Sequence, residues 1–585
     1  VAITRTVSDA GNVLTEKDGT DITTSFTYDV LNRLTSITHP IGNPVSVIWG
    51  KNSRTINRGP YREAITFDGY GRETEVVHTN NGQDVIRQTY VNDKLGRKIF
   101  SSYPNSGVGT AFKYDMLGRQ VAVYHVSNPS GLSYQSSRTM SYTSTQTVIR
   151  NERGLQYKQT YRVFGDPGKQ ELMNIATPNS DMDVTIVRNG LGQLLSATQG
   201  GKTRIYGYDS HYFQTSMSDP EVGTTIMEYD AVGNTISRKV GASDKTYFAY
   251  DGRNRVTNVT YPPVNVQTNP IGTPNIARTY YKDDKLKSVD NGIALREYLY
   301  NNNKNMTQEK LTITGQSPFI IGYAYDTNDS LDVLTYNSGR SVTYHPDAFG
   351  RASQAMPYVQ SVLHHPTGQV AAIRFANGVE TKVDFNVRQW PTQLTIAKGA
   401  TRSVSSSYAY DPNSNVTSIN DDVDASFNRS LNYDYNDRLT GGIGSWGGGD
   451  IVYSADGNIT QQQLGTAVNL NYTYDGTNRL ATVAGSKNYT FTYDVYGNVS
   501  GNGFNTFAYN DASNMRCANC GQANEITYDY DGANMRVRST KAGVSTYYLY
   551  GSNGNLLSEL TPNVNTKDYI YLHGKQIAAH QKTLP

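Results

Sequence analysis

Two cysteines, nine histidines and a recurring aspartate–arginine pairing are the residues of this chain whose types could do chemistry. Cys517 and Cys520 have the C-x-x-C spacing of half a tetrahedral zinc site, which needs two further Cys or His ligands. The nearest histidines, His573 and His580, lie far downstream. A redox role would need a helix N-terminus to acidify a thiol, and no helical pattern follows. The pair therefore reads as incidental thiols or as a local disulfide. His364 and His365 adjoin Pro366 and Gly368 and so sit in or near a turn. They belong to no H-x-H or H-E-x-x-H spacing, and no Gly-x-Ser-x-Gly elbow marks a hydrolase. A tyrosine beside His or Arg can act as acid and base on a polysaccharide, but 45 tyrosines offer no way to single out one such pair. The glycine-rich stretch 441–450 lacks the Lys-Ser/Thr of a phosphate loop and reads as a hairpin loop. Neither a catalytic set, a metal site nor a cofactor is expected.

The elements that would position these residues are set by a repeat. Its unit is Tyr-Asp-x-x-[Gly/Asn]-[Arg/Asn]-[Leu/Val]-[Thr/Ser]. Copies open at Tyr28-Asp29 with Arg33, Tyr114-Asp115 with Arg119, Tyr229-Asp230, Tyr250-Asp251 with Arg255, Tyr474-Asp475 with Arg479, Tyr493-Asp494 and Tyr530-Asp531. Tyr208, Tyr229 and Tyr250 are 21 residues apart. A period of about 20 holds two strands of ordinary length and two turns. The segment before each aspartate alternates, as in Tyr489-Thr490-Phe491-Thr492-Tyr493, so one face carries rings and the other hydroxyls. The Asp carboxylate then accepts backbone N–H groups in a turn, and Gly or Asn four residues after the Tyr suits a positive φ. Each unit is a β-hairpin, with Asp and Arg pairing across the turn and the Tyr ring covering the guanidinium stem. A dozen such pairs at a fixed period are structural punctuation rather than a dozen active sites.

Composition agrees. Tyrosine supplies 45 of 585 residues and charged residues only 18%. Aromatic and β-branched residues favour strands, and few stretches show a helical period. The net charge of +2 gives no electrostatic case for nucleic acid. No apolar run is long enough for a membrane-spanning helix. Residues 1–20 carry no secretion-signal pattern. Irregular insertions rich in Pro and Gly are expected at about 125–205, 262–280 and 355–405.

The quoted motifs resemble the YD-repeat, or Rhs-repeat, family over about residues 5–580. Tyr344–Arg351 and His365–Gly378 look like variant copies, and the close from Tyr548 to Gly574 looks like the family's last repeats. The resemblance implies an all-β fold in which a long sheet spirals into a hollow, cocoon-like shell with minimal helix. Residues 1–585 would form one shell segment. The family's C-terminal core, with its catalytic aspartates, and an effector domain are not recognised before Pro585. In Rhs and Tc toxins the shell encloses a toxic effector, whereas teneurin-like members serve adhesion. The implied function is a non-enzymatic encapsulating wall, bacterial and secreted or at the cell surface. Its partners would be an enclosed effector or an adjoining shell chain. The alternatives are an adhesion or glycan-binding protein, and a polysaccharide-degrading enzyme.

Overall fold

The computed structural model describes residues 3–128, 133–163, 170–263 and 272–584. These form 54 β-strands and one three-residue 3-10 turn, Ala425–Phe427. Nearly every strand pairs antiparallel with the next, giving meanders of 31, 13, two and eight strands. The alternation seen in the sequence is real in space. Along Val468–Tyr474, Val468, Leu470, Tyr472 and Tyr474 are half-buried and Asn469, Asn471 and Thr473 are exposed.

Each repeat carries one extra residue. In the hairpin of Thr23–Tyr28 and Leu34–Thr38, Thr27 opposes Ser36 but Tyr28 opposes Leu34, so Thr35 has no opposite number. The same slip stands before Tyr229, Tyr250, Tyr410 and Tyr474. Such bulges bend and twist a sheet. Repeated at every second strand, they curl the ribbon.

The ribbon closes on itself as a spiral. Lys304 bonds Asp18, 286 residues back. Arg153 bonds Asp437 across 284 residues, Asn478 bonds Glu221 across 257, and Ser338 bonds Asp568 across 230. His364 meets His573 after 209. One winding therefore takes between 25 strands at the start and 21 near the end. At ~4.8 Å per strand that is a circumference of roughly 100–120 Å. The ring tightens toward the C-terminus.

The interior is not a filled core. The described chain exposes 30330 Å2, whereas a compact monomer of this mass exposes about 20,000 Å2. The main buried cluster lies where the last strands lean on the middle of the chain. It joins Leu311, Ile321, Tyr336, Val342 and Val359 to Val537, Leu549 and Ile570.

Several expectations need correction. The described residues of 125–205, and 355–405, are largely regular strand. They hold regular strands, among them Gln146–Arg150, Gln156–Val163, Val184–Arg188, Val370–Phe375 and Pro391–Lys398. The hairpins persist because other acceptors replace Asp. Asn151 accepts the N–H groups of Arg153 and Leu155 at 3.1 and 2.9 Å, and Asn386 those of Arg388 and Trp390 at 2.9 and 3.0 Å. Residues 129–132 and 164–169 within 125–205, and 264–271 within 262–280, lie outside the described residues. The glycine-rich stretch is a hairpin, but most of it is strand, Leu439–Gly444 and Gly447–Tyr453.

Candidate functional site

The aspartate turn is one geometry used many times. Asp29 Oδ1 accepts the N–H groups of Leu31 and Arg33 at 2.9 and 3.0 Å, and Oδ2 accepts Arg33 Nε at 2.8 Å. Asn32, at φ +59°, donates its N–H back to the Asp29 carbonyl. Asp115 repeats this with Leu117 and Arg119, Asp251 with Arg253 and Arg255, and Asp475 with Thr477 and Arg479. Where Asn replaces Arg, the amide takes over. Asn234 Nδ2 reaches Asp230 at 2.8 Å and Asn498 Nδ2 reaches Asp494 at 2.9 Å. These bonds favour the ionised carboxylate. Arg33 foremost holds the Asp29 carboxyl below the usual range, and Arg255 foremost takes Asp251 down to about 2.

The tyrosines serve the neighbouring repeat rather than their own. Tyr280 lies 4.4 Å from the Arg255 guanidinium, Tyr493 4.8 Å from Arg479, and Tyr142 4.5 Å from Arg119. The ring thus covers the arginine of the preceding turn, not the one following it. Each hydroxyl finishes the job. Tyr280 Oη donates to the Val256 carbonyl at 2.8 Å, Tyr250 to Thr235 at 2.8 Å, Tyr474 to Ile459 at 2.8 Å and Tyr114 to Lys98 at 2.8 Å. The accepting carbonyl always belongs to the residue just after the turn, beside the bulge, where the strand ladder is broken. A phenylalanine would cover the arginine but leave that carbonyl unserved.

The windings meet along a polar seam. Turns of the later winding sit on turns of the earlier one. Asn43 donates its N–H to the Thr327 carbonyl at 2.7 Å, and Arg58 pairs with Asp329. Arg438 pairs with Asp181 at 2.5 Å, and Thr273 Oγ1 donates to Asp511 at 2.8 Å. Gly42, at φ +80°, has no room for a side chain, since a Cβ would stand 2.4 Å from the Thr327 carbonyl oxygen. Gly532 is needed for the same reason, with Val289 Cγ1 2.5 Å from its would-be Cβ. Burial opposes the charge of Asp18, yet Lys304 and Thr20 hold its carboxyl well below the usual range.

At the C-terminal end the seam encloses an ionic cluster. Arg296 donates to Asp531 at 2.7 Å and to Glu309 at 3.0 Å, and to the Tyr550 carbonyl at 3.0 Å. Glu309 also accepts Tyr323 Oη at 2.6 Å and the Ser552 N–H at 2.8 Å. Burial opposes the Arg296 charge, and Asp531 and Glu309 more than offset it, so its pKa is raised. Burial, reinforced by Glu309, pushes the Tyr323 hydroxyl well above its ordinary range. Sequence reasoning missed this cluster, although the copy at Tyr530 carried a hint. Its arginine has slipped one position, to Arg536, leaving Met535 in the pairing place.

Cys517 and Cys520 form a local disulfide with Cα atoms 5.6 Å apart. Of the tyrosines outside the repeat register, Tyr157 donates across the seam to the Tyr435 carbonyl at 3.0 Å, Tyr161 donates to Gln159, and Tyr358 packs against the main core. Among the described residues no group of three His, Cys, Asp or Glu side chains is placed to hold a metal ion. No helix among them is long and apolar enough to cross a membrane.

Known proteins share this geometry. The teneurin YD-shell family matches residues 376–576 and the RHS Repeat family matches residues 8–43. The tRNA3(Ser)-specific nuclease WapA of Bacillus spizizenii is 26% identical over 235 residues, 40% of this chain and 7% of that protein. The crystal structure of TcdB2-TccC3 superposes on 99% of this chain and 38% of its own with a TM-score of 0.63 at 13% identity. The Photorhabdus luminescens Tc holotoxin pore superposes on 92% of this chain and 33% of its own with a TM-score of 0.62 at 12% identity. The chain thus spans a small part of these relatives, and the structural likeness is one of fold. The family matches thus place a YD-repeat, or Rhs-repeat, signature at residues 8–43 and 376–576, on the turns and bulges described above.

Proposed function

We propose that this chain is a wall segment of a hollow shell that encloses a toxic polypeptide effector until delivery. The observation that carries the reading is the surface area, about half as much again as a compact monomer would expose, in a chain that winds with 21 to 25 strands per turn. A single-layered wall has two wetted faces; a packed domain has one. In this reading the Asp, Arg and Tyr residues of the repeat are wall-building groups and do no catalysis. The wall acts by exclusion: its hydrogen-bonded ladders keep cargo from proteases and from the cell that makes it.

The first winding supports an adjoining shell segment as a second partner. Its aspartate turns carry bulky apolar tips: Val30 is 99% exposed, Tyr70 87% and Met116 100%. At the seam such an apolar tip is covered by the other winding, as Phe349 is by Tyr61, ring centroids 6.2 Å apart. Another YD-repeat winding resting on that rim would continue the seam.

The test is to join a protease-sensitive reporter polypeptide after Pro585 and measure its digestion with the wall intact. The proposal expects protection in the intact protein, lost when the seam is broken by Arg296→Ala. Equal digestion in both proteins would contradict it.

A further inference from the structure

His364 and His573 come from different windings, yet their Nε2 atoms stand 3.1 Å apart. The rings are nearly perpendicular, at 83°, with centroids 5.0 Å apart. His364 occupies the tyrosine position of a variant repeat, and His365 occupies the aspartate position. His365 keeps the turn, its Nδ1 accepting the Thr367 N–H at 3.3 Å. His364 departs from the repeat: a tyrosine there would sit over the neighbouring turn, whereas the imidazole reaches the other winding.

We propose that His364 and His573 form a two-histidine binding site for a divalent transition-metal ion of the zinc, copper or nickel class, clasping the two windings together. Imidazole nitrogens suit these ions. Two nitrogens bound at ~2.0–2.1 Å to one tetrahedral ion lie about 3.3 Å apart, close to the separation here. The His573 ring also bonds the Ala352 carbonyl. A backbone carbonyl behind a metal-binding imidazole is the usual means of fixing its tautomer. Arg351, the nearby cation, is engaged by Asp347 at 2.6 Å. His573 also lines a cavity of about 380 Å3 with Tyr323, Tyr344, Arg351 and Asn553, which gives room for water to complete the coordination.

The bland alternative is an N–H···N hydrogen bond between the rings, and it needs no ion. The experiment separates them. The untagged, chelator-washed full chain is titrated with Cu2+ and followed by electron paramagnetic resonance, and with Zn2+ by calorimetry and thermal unfolding. The proposal expects one tight equivalent with a two-nitrogen signature and a rise in Tm on adding Zn2+. His364→Gln and His573→Gln should each weaken binding at least tenfold and abolish the Zn2+-dependent rise in Tm, while His211→Gln, far from the seam, changes neither. A wild-type chain with no tight equivalent or a one-nitrogen spectrum overturns the proposal, and so do glutamine variants that bind as wild type. Should a variant fail to fold, the wild-type spectrum and stoichiometry decide alone.

Discussion

Arg296 and Asp531 are 235 residues apart in the sequence and 2.7 Å apart in the structure, with 3% and 0% of their side chains exposed. Asp531 still performs its turn duty, accepting the N–H groups of Ala533 and Met535 at 2.9 Å. Its second oxygen, freed by the slip of the repeat arginine, closes the spiral instead.

Breaking this pair should loosen the seam. Asp531→Ala leaves a buried guanidinium short of a partner, and such removals cost about 3–5 kcal/mol. Hydrogen exchange should show lost protection in strands Ala294–Tyr300 and Ile526–Tyr530, with Gly223–Tyr229 unchanged. Arg296→Met strands two buried carboxylates, Asp531 and Glu309, and should loosen the same strands.

The tyrosine hydroxyl should be measurable apart from its ring. Tyr280→Phe keeps the cover over Arg255 and loses the bond to the Val256 carbonyl. One such bond is worth about 1 kcal/mol. Tyr280→Ala loses the ring as well and should lower Tm further. Equal effects would mean that the hydroxyl does all the work.

Acid should open the repeat turns. Asp29, Asp68, Asp93, Asp230 and Asp251 all titrate below their ordinary 3.8 when folded, Asp251 at about 2. A depressed folded pKa contributes stability that is complete above the unfolded value and is lost as pH falls through the folded one. Thermal melts should be flat in this respect above about pH 4 and fall steadily from there toward pH 2. A Tm independent of pH over that window would exclude the turn carboxylates as stabilising groups.

The apolar rim should make the isolated chain self-associate, since exposed patches of this kind mark interaction surfaces. Sedimentation should show association that rises with concentration. Val30→Ser, Met116→Ser and Leu117→Ser together should reduce it without lowering Tm, because all three side chains are largely solvated.

Much of the wall was legible in the sequence because its rules are local. An aspartate bonding residues two and four ahead, with Gly or Asn at the positive-φ position between them, is a short-range constraint. The turns at Asn151, Asn189 and Asn386 were harder to see only because a neutral acceptor does the same work. Two features could not be read locally. The partner of each arginine ring contact lies in the next repeat, a consequence of strand pairing. The seam partners of Asp18, Arg58, Glu309 and His364 lie 209 to 286 residues away, wherever the curl brings them. That distance depends on the summed bend of more than twenty strands.

The central claim, a winding wall around open space, is tested most directly by small-angle X-ray scattering of the full chain. A filled globule of this length has a radius of gyration of about 25 Å. The account predicts a clearly larger radius and a pair-distance distribution skewed toward long distances, as a hollow body gives. A radius near the compact value with a symmetric distribution would contradict it.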